Sequence, residues 1–450
     1  MTYELLSELV RGGDRSVDDT NLREFLDDEH PVDLAAFLGD LEPEEAWFLL
    51  DMMPVPKQAE IFGYFEHDFQ VELAHRVPRK KLARLITEMN ADERADLYNE
   101  LSEEQRDALM PGLAQAERED IRQLAAYEEG TAGAIMTSDY ATLPRSITAR
   151  EAVDRLRREA LDKETIYRAY VVDRERHLVG AVRLEDLILA RSSETVAEIM
   201  DTNTHAVRVD DDQEEAARRI ARYDILALPV VDAEDKLVGI ITHDDAMDVL
   251  QAEATEDFHR VGASRVVTNV RDATVFMLYR ARIAWLLILV FANIFSGAGI
   301  AYFEETIEAY VALVFFLPLL IDSGGNAGSQ SATLMVRALA TGEAKLGDWG
   351  KMIMREVGVA ALMGLSMAVA VSFIGVIRAD AQIALVVAMS MVLIVIVGSI
   401  IGMTLPFVLT RLRLDPATAS APLVTSICDA TGVLIYFALA TAILFPAMAG

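Results

Sequence analysis

After Arg280 the chain is dominated by five apolar runs, approximately 281–303, 307–340, 357–377, 383–409 and 417–447. Each reaches the ~20 residues that a helix needs to cross a hydrocarbon core. Buried helices of a soluble protein keep polar stripes and seldom run this long, so five membrane crossings are predicted. Charge divides the chain at the same place. From Val266 onward there are 10 Lys+Arg against 11 Asp+Glu, whereas residues 1–265 hold 31 against 60, which is nearly all of the net −30. Such acidity repels phosphate backbones and excludes a nucleic-acid partner; cations are the partners it favours. A single cysteine rules out an internal disulfide framework.

The opening MTYELLSELVRGGDRS has no apolar h-region behind a basic one, so residues 1–265 are expected to stay in the cytoplasm. Arg280, Arg282, Arg337, Lys345, Lys351, Arg355, Arg411 and Arg413 flank alternate ends of the spans, with Arg378 alone on the other side. That asymmetry predicts a multi-pass protein of the cell (inner) membrane with a cytoplasmic N-terminus and an external C-terminus.

An ionisable group at a span's centre costs about 2.5–3.5 kcal/mol on insertion scales, so it usually lines water or a site. Asp322, in DSGGNAGSQSAT, and Asp429, in SAPLVTSICDATGVLIYF, are the two clear cases. Gly324, Gly325 and Gly328 allow close helix approach or a local break, Asn326, Ser329, Gln330, Ser331 and Thr333 supply oxygens, and Pro422 is expected to free a backbone carbonyl. Oxygen donors without clustered His or Cys suit a hard cation, Mg²⁺ or Ca²⁺. Cys428 reads as a packing residue.

The acidic half contains two repeats. Residues 30–113 divide into seven twelve-residue units, from HPVDLAAFLGDL to SEEQRDALMPGL, each with a polar or Pro start, an apolar last position and Phe, Leu or Ile at the eighth. They predict a superhelical stack of short helices. Further on, Ile135 and Met136 recur as Ile199 and Met200, and Val171, Val172, Asp173, Leu178, Val179, Gly180 and Asp186 recur as Val230, Val231, Asp232, Leu237, Val238, Gly239 and Asp245. Each copy reads as strand, helix, strand, turn, strand, helix, with a sheet face that its twin can cover. These copies resemble a tandem pair of CBS domains. In that family [ST]-x-x-D often binds adenine nucleotides, which makes Asp186 and the Thr242/Asp245 pair candidates for ATP, although Arg183 stands where Ser or Thr is usual. A helix N-cap is the alternative role for each Asp.

The expected fold is therefore multidomain: an acidic helical-repeat domain (1–130), an α/β tandem CBS pair (131–252), a connecting helix (253–279) and an all-α transmembrane domain of five helices (280–450). No HExxH or other catalytic constellation occurs, so no enzyme is expected. The domain order, PLLIDSGGNAGSQSATL and LDPATASAPLVTSICDATGVLIYF together resemble the bacterial MgtE family of magnesium channels and transporters. The resemblance implies a homodimer in the lipid bilayer with a pore between protomers, lined by Asp429, Asp322, Asn326 and Ser329. It implies Mg²⁺ as cargo and as sensed ion, the sensor ligands being Glu60, Asp92, Asp96, Asp212, Glu214, Asp224, Asp245, Asp248, Glu253, Glu256, Asp257 and Asp415. Asp415, followed by Pro416, also reads as a helix N-cap. Ser329 and Ala421 depart from the family's asparagines at these places.

Low internal Mg²⁺ would leave the carboxylates repelling, at about 4 kcal/mol per facing pair near a dielectric of 20, and open the gate; bridging cations would close it. Three rival readings remain at this stage: transport of Mg²⁺ or another divalent ion coupled to Na⁺ or H⁺, an ATP-sensing signalling protein merely anchored by its spans, and halophilic adaptation as the source of the acidity.

Overall fold

The computed structural model describes residues 19–160, 163–262, 273–378 and 380–445. The connecting segment at 263–272 and the last five residues lie outside them. The chain forms two compact units, Met1–Gln251 and Ala252–Gly450.

In the first unit the twelve-residue period is a capping period. Helices Pro31–Gly39, Pro43–Leu50, Val55–Gly63, His67–Arg76, Arg79–Glu88, Ala91–Glu100 and Glu103–Leu109 have as N-caps His30, Glu42, Pro54, Glu66, Pro78, Asn90 and Ser102, the first residue of each unit. Extended backbone at these positions stops each helix from running into the next. The last residue of every unit, from Leu41 to Leu113, is buried, as are Leu49, Ile61, Leu73, Leu85, Leu97 and Leu109 at the eighth position. Helices two units apart pack on one another, which builds one continuous apolar core.

Two three-stranded sheets follow. In one, β1 (Tyr140–Leu143) runs parallel to β2 (Thr165–Val172), which pairs antiparallel with β3 (Leu178–Arg183). In the other, β4 (Val207–Arg208), β5 (Ala227–Val231) and β6 (Leu237–Thr242) repeat that order. The register repeats too: Val171 faces Gly180 and Val230 faces Gly239. The two glycines recur for a packing reason. A methyl on Gly180 would lie 3.1 Å from Met200 Sδ, and one on Gly239 would overlap Met136, so each recurring methionine covers the other copy's glycine. Tyr140 and Tyr170 donate to the carbonyls of Leu237 (3.0 Å) and Ala227 (3.2 Å), joining the two sheets across a shared core.

Among the described residues, the second unit has five helical stretches long and apolar enough to span a bilayer: Val275–Tyr302, Ala312–Ala340, Leu346–Ile374, Ala381–Arg411 and Ala421–Leu444. Their bounds differ from the hydropathy reading in four places. The first begins earlier and takes Arg280 onto its helix; the residues from 304 to 309 form a separate short helix before the second; the third, after a turn at Leu346–Asp348, is helical from Trp349, so Lys351, Arg355 and Glu356 lie on its first turns; and the fifth begins at Ala421, behind a separate turn at Pro416–Thr418. Apolar counting misses these turns because they carry the charges that sit at a membrane interface.

The second span stays helical throughout, so its glycines serve close approach and not a break. A Cβ on Gly328 would be 2.8 Å from the Gly398 carbonyl, and methyls on Gly398 and Gly402 would overlap the carbonyls of Gly324 and Gly328. Two Gly-x₃-Gly pairs thus bring the second and fourth spans into backbone contact. Pro422 also differs from expectation. It sits in the first turn of the fifth span, where the lost N–H has no helical partner anyway.

Candidate functional site: two carboxylate centres

The first centre lies within the Met1–Gln251 unit. Asp92 is in the first turn of helix Ala91–Glu100, Glu164 immediately precedes β2, and Asp245 is in the first turn of helix His243–Val261. Each of the three offers a carboxylate oxygen, and these oxygens lie within 4.8 Å of one another. Asp92 is 8% exposed, and its Oδ1 and Glu164 Oε2 are buried atoms without a hydrogen-bond partner. Arg94, on the same helix, donates to Asp120 and Asp139 instead, at 3.4 Å each.

Burial and mutual repulsion shift these acids far from their ordinary range. Desolvation raises Asp92 to about 6, Glu93 to about 8, Asp245 to about 7 and Glu164 to about 9. The charge of Asp92 adds to the last three, while hydroxyls from Thr137 and Thr242 partly offset the rise at Glu164 and Asp245. Asp96, whose side chain reaches solvent, rises to about 6, led by desolvation on its protein side. Glu60, Glu93, Asp244 and Asp248 act on the Tyr64 phenol, whose pKa is raised by burial first and then by their charges, so the acidic field extends to Glu60 and Asp248.

The other sequence-derived candidates are placed differently. Asp212 caps helix Gln213–Tyr223 through the N–H groups of Glu214 and Glu215, Glu214 is ion-paired with Arg218, and Asp224 is the left-handed residue at the helix's other end. Eleven helical residues separate the ends by about 16 Å, so Asp224 does not share a site with Asp212 and Glu214 within this chain. Asp186 is gripped by Arg183 through Nε (2.9 Å) and Nη2 (2.8 Å), as Asp245 is held by Thr242 three residues before it. Arg183 therefore supplies the contact that Thr242 makes in the second copy. Beside it lies a groove of about 530 Å³ lined by Tyr167, Arg168, Ile188, Leu189, Asp224 and Leu226.

The second centre lies in the Ala252–Gly450 unit. Asp322 and Asn326 sit one turn apart on the second span, both exposed despite a helix otherwise rich in apolar residues, with Asn326 Nδ2 donating to Asp322 Oδ2 at 3.0 Å. Asp429 on the fifth span is partly buried, its Oδ1 has no hydrogen-bond partner, and its charge and that of Asp322 act on each other. Ser329 Oγ donates to the Ala421 carbonyl (3.3 Å) and lies 3.2 Å from Thr425 Oγ1, so the two departures from the family pattern touch each other.

At the end of helix His243–Val261, Val261 packs against Val336, Ala417 and Ala419, and Arg260 is ion-paired with both Glu256 and Asp415. Asp415 also caps the turn Pro416–Thr418 through the Ala417 N–H at 2.7 Å. Glu253 and Asp257 lie on the same helix. Sequence reasoning did not single out Glu164, Glu93 or Arg260, nor Glu356, which accepts a hydrogen bond from Ser331. Glu164 reads locally as one more charge in DKET; its signal is pairing, since its N–H bonds to Asp139 O (3.0 Å) beside the first strand.

Three comparisons bear on this arrangement. Residues 317–439 match the MgtE divalent cation transporter family, 29–130 the MgtE intracellular N domain, and 132–193 and 196–252 CBS domains. The chain is 40% identical to the magnesium transporter MgtE of Thermus thermophilus and 33% identical to that of Bacillus subtilis, each over 98% of both chains. Among solved structures it resembles the cytosolic domain of the Mg²⁺ channel MgtE in complex with ATP, at 38% identity and a TM-score of 0.52, over 55% of this chain and all of that one. With five apolar spans behind a helical-repeat domain and a CBS pair, this chain belongs to the MgtE family of magnesium transporters.

Proposed function

We propose that the protein is a Mg²⁺-selective channel for magnesium uptake, closed by cytosolic Mg²⁺ held among its acidic cytosolic residues. The observation that carries this reading is the Asp92, Glu164 and Asp245 cluster, with two buried carboxylate oxygens left without partners. Carboxylate oxygens alone are the donor set of a hard cation, and no His or Cys competes for it. When the cation is bound, its positive charge offsets the repulsion among these groups. When it is lost, Asp92 on the helical repeat and Asp245 on the CBS pair repel, and the two domains separate.

Helix His243–Val261 carries both Asp245 and Arg260, so it is the element through which separation reaches the membrane unit. Val261 and the Arg260–Asp415 ion pair are its anchor there. In the open state the cation path is formed by Asp429 from each protomer of a homodimer, with Asp322, Asn326 and Ser329 nearby. The exposed polar face of Asp322 and Asn326 supports a partner or a water-filled path on that side. Orientation follows the flanking Lys and Arg residues, with the N-terminal half cytoplasmic. The groove at Tyr167, with Arg168 and Arg183 beside it, has an aromatic face for a base and cations for phosphates, and is the site we assign to ATP.

Moving a two-state gate from 1:99 to 99:1 takes about 5.5 kcal/mol, which several modest ion sites supply jointly. Limited proteolysis of the full-length protein tests this. Mg²⁺ at millimolar concentration should protect the cytosolic half, and neutralising Asp92, Asp245 and Glu256 together should abolish the protection. Protection indifferent to Mg²⁺ would assign the acidity to solubility or halophily.

A further inference from the structure

We propose that Glu164 is a third direct ligand of the ion held by Asp92 and Asp245, so that one cation clasps the helical repeat, the first CBS copy and the second. The inference rests on the sensor reading above and adds to it a residue and a third connection. Three observations support it, beginning with position. Two oxygens bound to one Mg²⁺ at ~2.1 Å can be no farther apart than about 4.2 Å, and the oxygens of Asp92, Glu164 and Asp245 lie within 4.8 Å of one another. Neighbouring oxygens in an octahedral shell of that radius are about 3.0 Å apart, so closing all three on one ion takes side-chain movements of up to about 1 Å.

The second is the state of the atoms. Asp92 is more than nine-tenths buried with Oδ1 unpartnered, and Glu164 Oε2 is also buried and unpartnered. A buried acceptor left without a donor costs about 1–3 kcal/mol, and more when charged, so two in one cluster call for a proton or a cation among them. The third is support. The Glu164 N–H bonds to Asp139 O at 3.0 Å, so the carboxylate is carried on a fixed backbone. Metal ligands are commonly oriented in this way.

The competing role for Glu164 is that of a repulsive charge that only pushes the modules apart. The two roles predict opposite signs. A ligand lost to Glu164→Gln weakens ion binding, and the Mg²⁺ midpoint for protease protection of the full-length protein in detergent rises by about tenfold. A repulsive charge lost to the same substitution eases closure, and the midpoint falls. Glu164→Asp keeps the charge but shortens the reach; it should raise the midpoint by less, with an unchanged melting temperature, and it decides the matter if the Gln variant fails to fold. Asp92→Asn is the control. If it raises the midpoint while Glu164→Gln leaves it unchanged or lowers it, Glu164 is no ligand and the sensor reading stands. If neither variant moves the midpoint, the sensor reading itself falls.

Discussion

Replacing Asp429 with alanine is expected to abolish Mg²⁺ flux into proteoliposomes while leaving the protein folded. Asp429 sits in the fifth span with a carboxylate oxygen that no neighbour satisfies, close enough to Asp322 for their charges to interact. A membrane carboxylate held without a protein partner costs about 3 kcal/mol, and a passing cation recovers that energy only while it is at the site. Removing the carboxylate therefore removes roughly a hundredfold in ion occupancy. The packing around it does not depend on the charge: Val424, Cys428, Val433, Tyr436 and Phe437 are the buried face of the same helix. The melting temperature of the variant in detergent should equal or exceed that of the parent. Undiminished flux would remove Asp429 from the pore.

The second large effect is a fall in stability with rising pH at the acidic cluster of the N-terminal half, which Mg²⁺ is expected to suppress. Glu164, Glu93, Asp245 and Asp92 are raised to about 9, 8, 7 and 6, chiefly by desolvation, whereas in an unfolded chain they titrate near 4. Between those limits the folded protein binds more protons than the unfolded one, so stability falls as pH rises. Groups held low, such as Glu151 and Glu198 in their capping boxes, titrate below this window and do not offset it. With chelator present, the cytosolic half should lose roughly 5–10 °C in melting temperature between about pH 5.5 and 8.5. Saturating Mg²⁺ should flatten that slope, because the bound cation replaces the protons. A slope of opposite sign in chelator would mean that these acids are paired and not crowded.

How much of this was legible in the sequence depended on the range of the interaction. The helical stack was, because His30, Glu42, Pro54 and their successors stop each helix locally, at a fixed period. The five spans were legible except at their ends, where Arg280, Lys351 and Arg355 extend helices past the apolar runs. The CBS pair was legible as a repeat, although the reason for its glycines, the crossing of Met136 and Met200, was not. Asp92 and Asp245 entered through family resemblance, and their meeting with Glu164 spans intervals of 72 and 81 residues that no local pattern encodes. The same applies to Arg260, whose partner Asp415 lies across the membrane unit's sequence. Asp212 and Asp224, both named as sensor ligands by the family resemblance, fall at opposite ends of one helix.

The central claim is that a passive Mg²⁺ pore is closed from the cytosolic side by the ion it conducts. Single-channel recording from excised patches tests it most directly, with Mg²⁺ varied at the face bearing the acidic half. The account requires unitary current steps that vanish as Mg²⁺ at that face rises through the millimolar range and return when it is withdrawn. Absence of unitary steps, with Mg²⁺ movement that instead follows an imposed Na⁺ or H⁺ gradient, would contradict it and establish coupled transport.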